Sequence, residues 1–156
     1  RHGNPDFGCG TGTGFDAIPM VFRRPICYVN YVPLEYLMTF VGHSLVIWKH
    51  HVRNGLRMTP MEIYDSGAGQ FMRADEFASA GITLEENSFG EILDVVIEML
   101  DYIAGKPPTV SQHEFWSQFP LSYSPYNGQP LHGQFRLRIG SKFLESYAPA
   151  TIDCAA

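Results

Sequence analysis

Gly8, Gly10, Gly12 and Gly14 alternate with Cys9, Thr11 and Thr13, and Asp16 closes the run. Glycines let backbone N–H groups approach a ligand without interference from a Cβ. Where such a turn opens a helix, unpaired amides and a partial positive charge lie at its start. That chemistry suits a phosphate or diphosphate, with Thr11 and Thr13 as further donors. The spacing matches neither familiar glycine motif. For G-x-G-x-x-G the last glycine would stand at Thr13 or Phe15, and no Gly-Lys-Ser/Thr follows for a P-loop. On spacing alone, a glycine turn packing a strand against a helix accounts for the run equally well.

A second group of chemical side chains is Lys49, His50, His51, Arg53 and Arg57. Cations at a strand end could neutralise charge growing on a diphosphate leaving group. A histidine there could move a proton. The alternative is a solvated, charged rim. Neighbouring strand residues point to opposite faces, so at most one of the two histidines is expected to face a site. No third ligand has zinc-like spacing, so no metal is expected. Glu35, just after Pro33, could face a cleft or favour a helix start. Glu85 and Glu86 read as a solvated approach to a helix.

These residues need elements to hold them. "ICYVN" (26–30) and "SLVIWKH" (44–50) read as buried strands. Residues 14–22 read as a short helix limited by Pro19, and 33–41 as another with Pro33 at its first position. Thr59, Pro60 and Glu62 have the form of a capped helix start, and Ser88 with Glu91 forms a second capping box. Behind Ser88, Phe89, Ile92, Leu93, Val96, Met99, Leu100 and Ile103 form an apolar helical stripe, stopped by Gly105 and Pro107-Pro108. Residues 70–74 are expected as a short strand, 75–81 as a helical turn, 82–87 as extended or loop, 113–120 as an aromatic helix, 124–133 as a loop and 134–147 as a helix. Strands alternating with helices imply an α/β fold: a Rossmann-like, mostly parallel sheet with flanking helices. Such sheets bind ligands at the carboxyl ends of their strands, where residues 8–14 would lie.

Composition narrows the classes further. The chain has 156 residues, 45% hydrophobic and 17% charged, enough to bury a core as one domain. A net charge of -5 argues against a nucleic-acid binder of the general electrostatic kind, despite the local clusters Arg23-Arg24 and Lys49 to Arg57. Cys9, Cys27 and Cys154 form no CxxC pair and no disulfide framework, which fits a reducing, cytoplasmic setting. No apolar run reaches the length of a transmembrane segment.

"GTGTGFDAIPMVFRRPICYVN" (10–30) resembles the nucleotide-sugar-binding segment of GT-B-fold glycosyltransferases and of the related sugar-nucleotide 2-epimerases. The matching features are Thr13-Gly14, Asp16, Pro19, Arg24-Pro25 and the strand from Ile26 to Asn30. With "SLVIWKHHVRNGLRMTPMEIYDSGAGQF" and "ENSFGEILDVVIEML", the chain is similar, over most of residues 6–147, to a family of bacterial glycosyltransferases of the surface-polysaccharide type. The resemblance implies two Rossmann-like domains facing a cleft. Residues 1–147 would be the C-terminal, donor-binding half and 148–156 a tail, with an N-terminal acceptor domain missing. It implies that Gly12, Thr13 and Gly14 contact the diphosphate of a nucleotide-sugar donor and that Asp16 lies near the ribose. Lys49, His50 and Arg53 are the candidates for steadying the leaving group. The acceptor would be a glycan or lipid-linked. No cofactor beyond the donor is expected, and the place of work would be the cytoplasm, up to the inner membrane surface. The alternatives are an epimerase of the same architecture and a non-catalytic nucleotide-binding domain. The aromatics Phe115, Trp116, Phe119, Tyr123 and Tyr126 are expected to pack across domains.

Overall fold

The computed structural model describes residues 7–118 and 136–147. Two strands organise it: β2 (Ile26–Tyr31) and β3 (Ser44–Trp48). All five residues of β3 and all but one of β2 are buried. Strands covered on both faces read as continuous apolar runs, which is why these two are plain in the sequence. The short β1 (Gly8–Gly10) and β7 (Arg138–Ile139) flank them, giving a four-stranded, all-parallel sheet in the order β1-β2-β3-β7.

At the carboxyl end of β3 the chain turns directly into a second sheet. Lys49 is the only residue between β3 and β4 (His50–Arg53). Asn54 and Gly55, with φ of 53° and 77°, then make a two-residue turn into β5 (Leu56–Arg57). Two successive positive φ values match the right-handed twist of a hairpin. β6 (Ile82–Glu85) completes an antiparallel sheet, β5-β4-β6. The architecture is thus α/β with a parallel sheet, as expected, plus an antiparallel sheet that was not. The expected strand 44–50 is in fact two, because pairing passes from β2 to β6 after Trp48.

The helices are α1 (Ala17–Val21), α2 (Pro60–Asp65), α3 (Ala74–Ser79), α4 (Phe89–Ile103), α5 (Val110–Gln118) and α6 (Ser141–Glu145). Both expected capping boxes form, Thr59 with Glu62 and Ser88 with Glu91. α4 buries Val95 and Met99 and packs on β2 and β3. Glu98 of α4 accepts hydrogen bonds from Gln112 of α5 at 2.7 Å and from the Ser141 N–H of α6 at 2.8 Å, tying three helices together. Trp48 at the end of β3 packs against Phe115 (5.8 Å), Phe143 (4.8 Å) and Tyr147 (6.0 Å).

Three expected elements are corrected. Residues 33–41 are not a helix but one 3-10 turn, Leu34–Tyr36, after which Leu37 is extended. The Thr39 carbonyl accepts instead from the Arg136 and Leu137 N–H groups at 2.8 and 3.0 Å. Residues 70–74 are not a strand. The Glu76 carboxylate takes the Met72 and Arg73 N–H groups at 2.9 and 2.8 Å, so that backbone is used to start α3. Within 134–147, Arg138 and Ile139 pair with β3 before α6 begins. Gly140 separates the two because a Cβ there would lie 2.9 Å from Ile47 Cγ2. The loop 124–133, the tail 148–156, Phe119, Tyr123, Tyr126 and Cys154 lie outside the described residues.

Candidate functional site

The glycine run divides in two. Gly8, Cys9 and Gly10 are strand β1, in parallel register with Ile26, Cys27 and Tyr28. The turn proper begins after them, at the carboxyl end of the sheet. Thr11, Gly12, Thr13 and Gly14 are all exposed. Gly12 has φ of +82°, in the left-handed region that favours glycine. A Cβ on it would also lie 2.6 Å from Tyr31 Cε2, so the turn lies directly on a β2 side chain.

Gly14–Asp16 then form a 3-10 turn leading into α1, with the Asp16 N–H on the Thr13 carbonyl at 3.0 Å. Thr13 precedes that turn without capping it through its hydroxyl. Asp16 folds back over the strand end. It is only 5% exposed, and its carboxylate occupies the space a side chain on Gly10 would need. Its Oδ2 is buried with no hydrogen-bond partner among the described residues. An unpaired buried carboxylate oxygen is costly, so this atom marks the place where a ligand donor would be most welcome.

Beneath the turn lie two tyrosines that no local pattern singles out. Tyr28 and Tyr31 meet edge to face at 5.6 Å. Burial, aided by the Asp16 charge, pushes the Tyr28 phenol up to about 12. Burial, with Tyr28 and then Asp16 adding to it, raises Tyr31 as well. Tyr31 donates to the Tyr36 carbonyl at 2.9 Å, while the buried Tyr28 hydroxyl has no partner among the described residues. Only strand register reveals these two, since "ICYVNY" reads as core.

Lys49, His50 and Arg53 make three separate sets of contacts. Lys49 pairs with Glu86 at 3.1 Å near the carboxyl end of β3, and its N–H reaches the Tyr31 carbonyl at 3.3 Å. His50 is completely buried, with Nε2 2.8 Å from Glu91 Oε1 and Nδ1 3.0 Å from the Tyr147 hydroxyl. Both ring nitrogens are thereby engaged inside the protein. Arg53 and Arg57 border an open cavity of about 480 Å³ with Glu62 and Asp65 of α2.

His51 is buried too, so neither histidine faces solvent. Its Nδ1–H donates to the Lys49 carbonyl at 3.0 Å. Burial pushes its pKa down to about 4, against the pull of that bond and with help from His50. Glu35 is buried against Gly69, where a Cβ would lie 2.5 Å from the Glu35 side chain, so it serves packing between two turns rather than a helix start. Asn87 is also inside: its Nδ2 donates to the Trp48 carbonyl at 2.8 Å.

Among the described residues, no group of three or more His, Cys, Asp or Glu side chains is arranged to hold a metal ion. No helix of the described residues is long and apolar enough to cross a membrane. Comparison of the chain with protein-family models, with curated proteins and with solved structures returned no match.

Proposed function

We propose that this chain is the donor-binding half of a GT-B-fold glycosyltransferase, which transfers a sugar from a nucleotide-diphosphate sugar to a glycan or lipid-linked acceptor. The observation that carries the reading is Asp16. Its buried carboxylate, with Oδ2 unpaired, stands behind an exposed glycine turn at the carboxyl end of a parallel sheet. That is the place where open α/β sheets take nucleotides. The similarity of residues 10–30 to nucleotide-sugar-binding segments points the same way.

In this reading the backbone of Gly12, Thr13 and Gly14 receives the diphosphate, and Asp16 accepts hydrogen bonds from ribose hydroxyls. Lys49, the one member of the Lys49, His50 and Arg53 set that lies beside the strand ends of β2 and β3, supplies positive charge to the leaving group. His50 keeps the β4–α4 contact in place, and Arg53 belongs to the hairpin cavity. The acceptor is held by a second domain, and the work is done at the cytoplasmic side of the inner membrane.

The test is calorimetric titration with uridine, guanosine, adenosine, cytidine and thymidine diphosphates. One of them should bind, and Asp16→Asn should weaken that binding by about tenfold, the worth of one charge-assisted hydrogen bond. Absence of binding by all five, to a protein that also contains the acceptor domain, overturns the reading.

A further inference from the structure

Cys9 and Cys27 are register partners on the adjacent parallel strands β1 and β2. Strand residues alternate between faces, and directly paired residues share one. Both thiols are free, Cys9 exposed and Cys27 fully buried. Each thiol is close enough to the other to bear on its ionisation. Neighbouring strands lie about 4.8 Å apart, inside the Cα separation of about 4.4 to 6.8 Å that a disulfide spans. The next residue is Gly10, on which the Asp16 carboxylate rests.

We propose that Cys9 and Cys27 are a dithiol switch: mild oxidation closes them into a reversible disulfide that stiffens the turn from Gly10 to Asp16. The two thiols have different tasks. The Cys27 thiol beside it brings Cys9 down to about 7, against burial and the Asp16 charge, and Cys9 is the one of the two that reaches solvent. The neighbouring Cys9 and burial push the Cys27 thiol up, and Cys27 itself is fully buried.

With glutathione disulfide as oxidant, the Cys9 thiolate attacks one sulfur and displaces a glutathione thiolate, leaving a mixed disulfide on Cys9. Cys27 then gives up its proton and attacks Cys9 Sγ, releasing the second glutathione. Two protein thiols lose two protons and two electrons, and one glutathione disulfide becomes two glutathiones. Reduction runs back through the same mixed disulfide, by thiolate attack on the bridge. The proposal is independent of what the turn binds.

The experiment uses a Cys154→Ser background, so that only this pair can close. The protein is equilibrated in glutathione buffers of graded ratio and mapped by peptide mass. The expected product is a Cys9–Cys27 crosslink, lighter by two hydrogens, lost in dithiothreitol and abolished by Cys9→Ser, an exposed and structurally mild change. Amide exchange in the peptide covering residues 10–16 should slow by about tenfold in the bridged form. A Cys9 that stops at the glutathione adduct, with Cys27 still a thiol, overturns the proposal. So does a bridged protein whose turn exchanges at the reduced rate.

Discussion

Glu91 satisfies three partners with one carboxylate. Oε2 accepts from the Ser88 N–H at 2.7 Å, closing the capping box of α4. Oε1 accepts from His50 Nε2 at 2.8 Å, and Arg57 Nη1 stands 3.8 Å away. Because a carboxylate only accepts, the His50 ring must donate through Nε2, which leaves Nδ1 to the Tyr147 hydroxyl at 3.0 Å. One side chain thus couples β4, α4 and the end of α6. Removing it would leave the buried His50 Nε2 without its acceptor and the Ser88 N–H without its half of the capping box, at a combined cost of about 3 kcal/mol. Glu91→Ala should therefore lower the urea unfolding free energy by about that amount. Glu91→Gln, which keeps the shape and one good acceptor, should lose about half as much. An alanine variant within ~0.5 kcal/mol of the parent, the usual range for a surface substitution, would refute this account.

At the scale of elements, the carboxyl ends of β2 and β3 are joined to α4 by a pair of asparagines. The Asn30 N–H donates to Asn87 Oδ1 and the Asn87 N–H to Asn30 Oδ1, each at 2.6 Å. Asn87 Nδ2 reaches the Trp48 carbonyl at 2.8 Å. Asn30 has φ of 52°, in the left-handed region that asparagine tolerates, and the β2–β3 register shifts beside it. Asn87→Ala leaves the Asn30 N–H and the Trp48 carbonyl without these partners and should cost about 2 to 4 kcal/mol in chemical denaturation. An unchanged unfolding midpoint would show that the clasp is dispensable.

The same contrast explains what the sequence discloses. The capping boxes at Thr59 and Ser88 and the strands at Ile26 and Ser44 are legible because their signals are local: a residue three places on, or an unbroken apolar run. The extended path after Leu37, the strand at Arg138 and the pairing of β4 with β6 are not, because their hydrogen bonds come from segments distant in the chain, as between Thr39 and Arg136. In the candidate site, the residue types of Gly12, Thr13, Gly14 and Asp16 are visible in the sequence. The seat of the Asp16 carboxylate on Gly10 and the two tyrosines below it depend on register and packing that no short window contains.

The whole molecule should respond to pH through groups that resist protonation when folded. His51 is pushed by burial from 6.5 to about 4. For Glu91, burial acts upward, but the Ser88 N–H and hydroxyl and His50 outweigh it and hold the carboxyl below 4.5. In both cases the unfolded chain binds protons more readily than the native one. Stability therefore rises with pH where the unfolded group is protonated and the folded one is not. For His51 that window runs from about 4 to 6.5: its full contribution is present above the unfolded value and is lost as the pH falls to about 4. Glu91 extends the loss below 4.5. The His51 shift corresponds to at most about 3 kcal/mol. The urea midpoint should accordingly fall steadily as the pH drops from about 6.5 to about 4. His51→Phe keeps a ring against Phe77, which the imidazole approaches at 5.6 Å. It removes the titration and the bond to the Lys49 carbonyl. The variant should start less stable at neutral pH and show a visibly shallower decline between about 6.5 and 4.5, where the parent's unfolded chain takes up a proton at His51 that the folded chain refuses. Parallel pH profiles for the two proteins would mean that His51 does not set the acid limb.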